Sequence, residues 1–138
     1  MQKELSLKMF KTSILISAII IILAWSCNDP IIVDSSAEII SRSFDETLND
    51  SALIYGFVYG AETVASPVPN AKIWIIESNF ETTSDIYGNF SLSVLPGTHT
   101  IKCLHNQYEE RFTAIVKNIT LLPNEKIEIR FNHGYIVE

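Results

Sequence analysis

The sequence is short of the residues from which most protein chemistry is built. It has two cysteines, Cys27 and Cys103, and five glycines in 138 residues. Cys27 stands where a secretory leader would end, so processing takes up its thiol and Cys103 is left without a partner. That excludes a disulfide framework, and Cys103 reads as a small buried hydrophobe. No Gly-x-Ser-x-Gly, His-Glu-x-x-His or Cys-x-x-Cys occurs, nor a glycine-rich loop that would cradle phosphate. Positive charge is equally scarce. Beyond residue 26 there are seven Lys and Arg against fifteen Asp and Glu, a formal charge of −8. A surface of that sign repels a phosphate backbone, and no basic cluster offsets it, so nucleic acid is excluded as a partner.

The remaining candidates for chemistry are few. His99, Cys103 and His105 alternate onto one strand face, but the two histidines are six residues apart, about 20 Å along a strand, and cannot share an ion. Cys103 and His105 alone do not complete a metal site. Asp85 lacks the alternating carboxylates of a calcium loop and reads as a turn residue. The expectation is a non-enzyme with no metal or cofactor.

What is present begins with an export signal. Lys3, Lys8 and Lys11 precede a run from Ile14 to Trp25 in which every residue but Ser17 is apolar. Twelve helical residues span about 18 Å, against the ~30 Å of a bilayer's hydrocarbon core, so residues 1–26 read as a signal peptide. Leu23-Ala24-Trp25-Ser26-Cys27 resembles a bacterial lipobox, with departures at Ala24 and Trp25. The resemblance implies that Cys27 is acylated and becomes the N-terminus. The expected location is the envelope of a Gram-negative bacterium, at the outer membrane, with the acyl chains as membrane partner. Residues 27–52, rich in Ser, Asp and Glu, read as a lipidated cysteine and flexible tether. Within them Ile40, Phe44 and Leu48, four apart, offer a weak helix over Ala37 to Leu48.

From Leu53 the pattern becomes short β-rich runs: Leu53–Gly60, Lys72–Glu77, Glu81–Ser84, Asn89–Leu95, Thr98–His105, Arg111–Lys117 and Lys126–Phe131. They predict an all-β domain over 53–138, a seven-stranded antiparallel sandwich of Greek-key type. Phe90, Leu92 and Val94, then His99, Ile101 and Cys103, give each strand one apolar side. Asp85-Ile86-Tyr87-Gly88 fits a type I turn with a glycine bulge, and Leu95-Pro96-Gly97-Thr98 a type II turn. Asp85, Gly88, Pro96 and Gly97 are therefore structural residues.

Ile54-Tyr55-Gly56-Phe57-Val58, Pro67-Val68-Pro69-Asn70-Ala71, Thr83-Ser84-Asp85 leading to Gly88-Asn89-Phe90, and Leu95-Pro96-Gly97 together resemble the carboxypeptidase regulatory-like domain. That resemblance implies a transthyretin-like sandwich over about Leu53 to Phe131. It implies no activity, because the domain is grafted onto many proteins. Asn70 stands where the family has glycine, and Gln107-Tyr108 where it has Gly-Tyr. With Ile54 and Val58 inward, Tyr55, Phe57 and Tyr59 turn outward, and Trp74 and Ile76 do so on their own strand. These five form the candidate ligand surface, for an envelope protein or a glycan. The chain thus reads as a binding or spacer module. The alternative is an adhesin or assembly subunit that pairs through an exposed strand edge.

Overall fold

Ten strands run through the described residues, 29–60 and 66–137, of the computed structural model. They are β1 (Ile31–Val33), β2 (Ser36–Phe44), β3 (Ala52–Gly60), β4 (Ala71–Ile75), β5 (Glu81–Thr83), β6 (Asn89–Val94), β7 (Gly97–His105), β8 (Ala114–Leu121), β9 (Glu125–His133) and β10 (Tyr135–Val137). One four-stranded sheet has the order β2-β9-β3-β6 and the other β5-β4-β7-β8, while β1 and β10 pair by themselves. The fold is an all-β sandwich. The expected signal peptide and Cys27 lie outside the described residues.

Alternation builds the core, as the sequence predicts. Ile54 and Val58 of β3, Ile73 and Ile75 of β4, Phe90, Leu92 and Val94 of β6, and Ile101 and Cys103 of β7 are all buried. They meet Ile127, Ile129 and Phe131 of β9 in one cluster between the sheets. Asn70, just before β4, takes the left-handed conformation at φ +56°.

The expected tether is corrected. Residues 31–44 are largely extended, and β2 pairs antiparallel with β9 from Ser36↔Asn132 to Phe44↔Glu125. Neither a spacer nor a helix over 37–48 is found there. The register slips between Ile39 and Ser41, so one extra residue, Ile40, breaks the two-residue period. An edge strand with a bulge shows no clean alternation, which is why its pattern looked irregular.

Three further expectations are refined. The strand expected over 111–117 runs from Ala114 to Leu121, because Glu110–Phe112 form a 3-10 turn that buries Phe112. The sandwich is not wholly antiparallel: β3 and β9 run parallel in unbroken register from Leu53↔Lys126 to Gly60↔His133. The chain crosses the whole second sheet between them and re-enters beside β3 in the same direction. The two turns also do not close hairpins, since β5 and β7 belong to the second sheet and β6 to the first. Each carries the chain from one layer to the other.

Two close contacts hold neighbouring segments together within the sheets. Gly56 sits mid-strand with φ +149°, and a Cβ there would lie 1.8 Å from the Ile129 carbonyl oxygen. Ser84, buried at the end of β5, accepts from the Ala71 amide at 2.9 Å and donates to the Val68 carbonyl at 2.6 Å. Gly56→Ala is expected to leave little folded protein, as seen by loss of the near-ultraviolet dichroism signal. Ser84→Ala strands two buried backbone groups and is expected to lower stability in urea by about 1–3 kcal/mol.

Candidate functional site

The five residues of the expected surface fall on two opposite faces. Tyr55, Phe57 and Tyr59 alternate outward from β3, half-buried on the outside of the first sheet. Trp74 and Ile76 point outward from the second sheet, with Ile76 38% exposed. The single patch expected from the sequence is therefore corrected: β3 and β4 are neighbours in sequence but lie in different layers.

On the first face, the parallel register sets Tyr55 beside Glu128, Phe57 beside Arg130 and Tyr59 beside Asn132. Antiparallel β6 places Ser91 beside Tyr55 and Asn89 beside Phe57. The aromatic row is thus a rib hemmed by polar and charged chains. The Phe57 and Tyr59 rings stack at 5.9 Å, with only 16° between their planes, and the Lys126 ammonium lies 5.6 Å from the Tyr55 ring centre. Rings stacked this way spend their faces on each other.

Trp74 has a different setting. It lines a cleft of about 320 Å³ with Lys102, Leu104, Glu110, Arg111, Thr113 and Ile115. Lys72 stands 5.9 Å from the indole centre while its ammonium pairs with Glu81 at 2.6 Å. Three of the seven cations that follow residue 26 gather around this one indole. Carboxylates accompany them: Glu81 pairs with Lys72, Glu109 pairs with Arg111 at 2.9 Å, and Glu110 lines the cleft, so the indole sits among paired charges of both signs.

The structural residues keep their turn chemistry. Asp85 Oδ1 accepts from the amides of Tyr87 at 2.8 Å and Asn89 at 2.9 Å, and the Gly88 amide donates to the Asp85 carbonyl at 3.0 Å. Gly88 takes φ +78°, and its missing Cβ would meet the Val58 carbonyl oxygen at 2.5 Å. Desolvation works against the Asp85 charge, but the Asn89 amide and side chain and the Tyr87 amide outweigh it and hold the carboxyl below its usual range. The second turn departs from expectation. Gly97 opens β7 at φ +140°, outside the type II region, so Leu95 and Pro96 alone bridge the layers.

The residues suspected of metal chemistry have separate tasks. Cys103 is 1% exposed, and burial pushes its thiol up to about 12, which keeps it protonated. A His99 ring nitrogen bonds to the Leu95 carbonyl at 2.8 Å, and His105 Nδ1 accepts from the Gln107 amide at 3.2 Å. Among the described residues no group of three His, Cys, Asp or Glu is placed to hold a metal ion.

One assembly escaped the sequence reading. Buried His133, at the end of β9, packs its ring 4.3 Å from that of Tyr108 and 6.3 Å from that of Phe112. Its Nε2 accepts from the His105 amide at 3.2 Å, and its Nδ1 donates to the Gly134 carbonyl at 3.0 Å. The ring is therefore the neutral Nδ1–H tautomer. Ser35 donates to the Phe112 carbonyl and accepts from the Gly134 amide at 2.8 Å, tying both chain ends to this cluster. Nothing in the spacing of His133 marks it, because apart from Gly134 its partners lie in the distant segment from His105 to Phe112.

No family model matches the chain, and no curated protein matches it. Among solved structures it is similar to a chain in an N-terminal interface mutant of a type II cohesin–X-dockerin complex from Acetivibrio cellulolyticus. It is equally similar to a chain in the C-terminal interface mutant of that complex. In each case the identity is 17% and the TM-score 0.47, over 56% of this chain. This chain spans about half, 51%, of the length of those chains.

The His133 cluster sets a pH dependence. Burial holds the ring below the ordinary imidazole range, reinforced by the nearby His105 and partly opposed by the Gly134 bond. The unfolded chain then binds a proton that the folded chain excludes, so stability is complete above about pH 6.5 and declines as pH falls toward the folded value. The urea midpoint is expected to drop between about pH 7 and 5, ahead of carboxylate titration, and His133→Gln to flatten that drop.

Proposed function

We propose that this chain is a non-catalytic module, anchored by acyl chains on Cys27 in a Gram-negative outer membrane, that binds a partner protein through the Trp74 cleft. The carrying observation is the half-buried indole lining a cleft of about 320 Å³ with Lys102, Arg111, Leu104 and Ile115. A tryptophan set in a concavity with cations and aliphatic chains around it is the composition of a protein-binding hot spot. A glycan fits less well. Sugar binding uses open aromatic faces, whereas Lys72 stands over Trp74 and Phe57 stacks on Tyr59. The sandwich itself we assign to the carboxypeptidase regulatory-like kind. Left-handed Asn70 and the Asp85–Gly88 turn, each at its motif position, support that assignment.

The edge-pairing alternative survives at one strand. β2 carries a bulge at Ile40, and Arg42 reaches the buried carboxylate of Glu125 at 2.7 Å. β8 is broken between Val116 and Ile119, where Asn118 takes φ +54°, and β5 is three residues long. These features block strand addition. β6, Asn89–Val94, pairs with β3 in straight register and holds no charge or proline.

Three measurements check these readings. The mature protein's mass is expected to show Cys27 as an acylated N-terminus. Crosslinked envelopes are expected to yield a discrete partner with the wild type that is lost with Trp74→Ala and kept with Tyr55→Ala; equal recovery from all three would end the cleft reading. Sedimentation is expected to give a monomer at every concentration, and a dimer abolished by Ser91→Lys would instead install β6 as the working surface.

A further inference from the structure

The proposed anchor at Cys27 is separated from β1 by Asn28, Asp29 and Pro30 alone. A chain covers at most about 3.5 Å per residue, so Ile31 is within about 14 Å of the acylated cysteine. The headgroup layer takes up about 5–8 Å of that on its side of the bilayer. The anchor therefore holds β1 against the membrane surface.

What it holds there is apolar. β1 and β10 form a ribbon of Ile31, Ile32 and Val33 paired with Val137, Ile136 and Tyr135. Every side chain in it is aliphatic or aromatic, and Ile31, Ile32 and Val137 are 65%, 48% and 44% exposed. Tyr108, 40% exposed, stands beside it and lines a cleft of about 370 Å³ with Gln107, Glu109, Phe112 and the ribbon's own Tyr135 and Ile136. Tyrosine next to short aliphatic chains is the composition that settles at the boundary between headgroups and acyl chains.

We infer that the β1–β10 ribbon is a second membrane contact: Ile31 and Val137, cross-strand neighbours on one face, seat in the interfacial layer, and the sandwich stands on this end. The inference rests on the lipid-anchor reading of Cys27. Covalent attachment puts the bilayer within reach of the ribbon at all times, whereas a second copy, with a formal charge of −8 beyond residue 26, is repelled. Asp29 and Asp34, exposed at the two ends of β1, direct the contact toward zwitterionic lipid. The contact adds a second, weaker attachment to the acyl chains and limits how the Trp74 face swings above the membrane.

The test uses the chain from Cys27 to Glu138 coupled through the Cys27 thiol to maleimide-bearing phosphatidylcholine vesicles, buried Cys103 being unreactive. Ile31→Trp in a Trp74→Phe background is expected to be quenched about twofold or more by lipids brominated on their acyl chains. Trp74 in the otherwise unchanged chain is expected to keep its emission. Quenching at Ile31→Trp no greater than at Trp74 overturns the inference, and Val137→Trp, its cross-strand neighbour on the same face, repeats the measurement should Ile31→Trp not fold. Because coupling is chemical, failure of the anchor reading is seen separately, as native protein whose mass lacks acyl chains.

Discussion

β9 is held on both edges, and the sandwich is organised around that fact. On one side β3 runs parallel to it through eight residues in register, and on the other β2 runs antiparallel. Ile127, Ile129 and Phe131 from its inner face are fully buried, in contact with residues from both sheets. A strand that apolar needs every amide and carbonyl paired, or it becomes a template for another chain. The residues of β2 supply that pairing. Gly56 lets β3 approach closely enough to complete it from the other side.

This pairing changes what the N-terminal segment does. Residues composed like a linker become an edge strand, with Arg42 turned toward Glu125 and a bulge at Ile40 that discourages a further strand. The covalent distance between the proposed anchor and the folded domain shrinks to three residues. The β1–β10 ribbon, the Ser35 hydroxyl and the His133 cluster gather beside the loop carrying Tyr108 and Phe112, where Ser35 and His133 tie the start of β2 and the end of β9.

The same layering decides which aromatics act together. Tyr55, Phe57 and Tyr59 are packed against their own neighbours and stiffen the first sheet. Of the residues of the expected surface, Trp74 lines a cleft, and its cations come from β4, β7 and the 3-10 turn before β8, with Glu81, Glu109 and Glu110 beside them. That gathering of charge is local, and no average over the chain reveals it. The pH dependence has the same origin. Burial keeps His133 neutral, because the distant segment carrying His105, Tyr108 and Phe112 closes over it.

Local rules carried the sequence reading a long way. Alternation of apolar residues marked the in and out sides of β3, β4, β6 and β7, since a strand's period of two depends on its own backbone. Asp85 and Gly88 announced their turn because both act within four residues. Layer membership was not legible: the chain crosses between sheets at Asp85–Gly88 and Leu95–Pro96, and a turn sequence records a reversal without saying which strand lies beyond it. The bulge in β2, the parallel β3–β9 pair, the split of the aromatic surface and the histidine cluster all depend on contacts between residues some thirty to a hundred positions apart. By itself the sequence determined an exported-looking chain with a β-rich half and no assembled catalytic motif. Only the tertiary structure decided which residues share a face, because pairing over such separations is selected by burying the whole core at once and not by any segment's own preference.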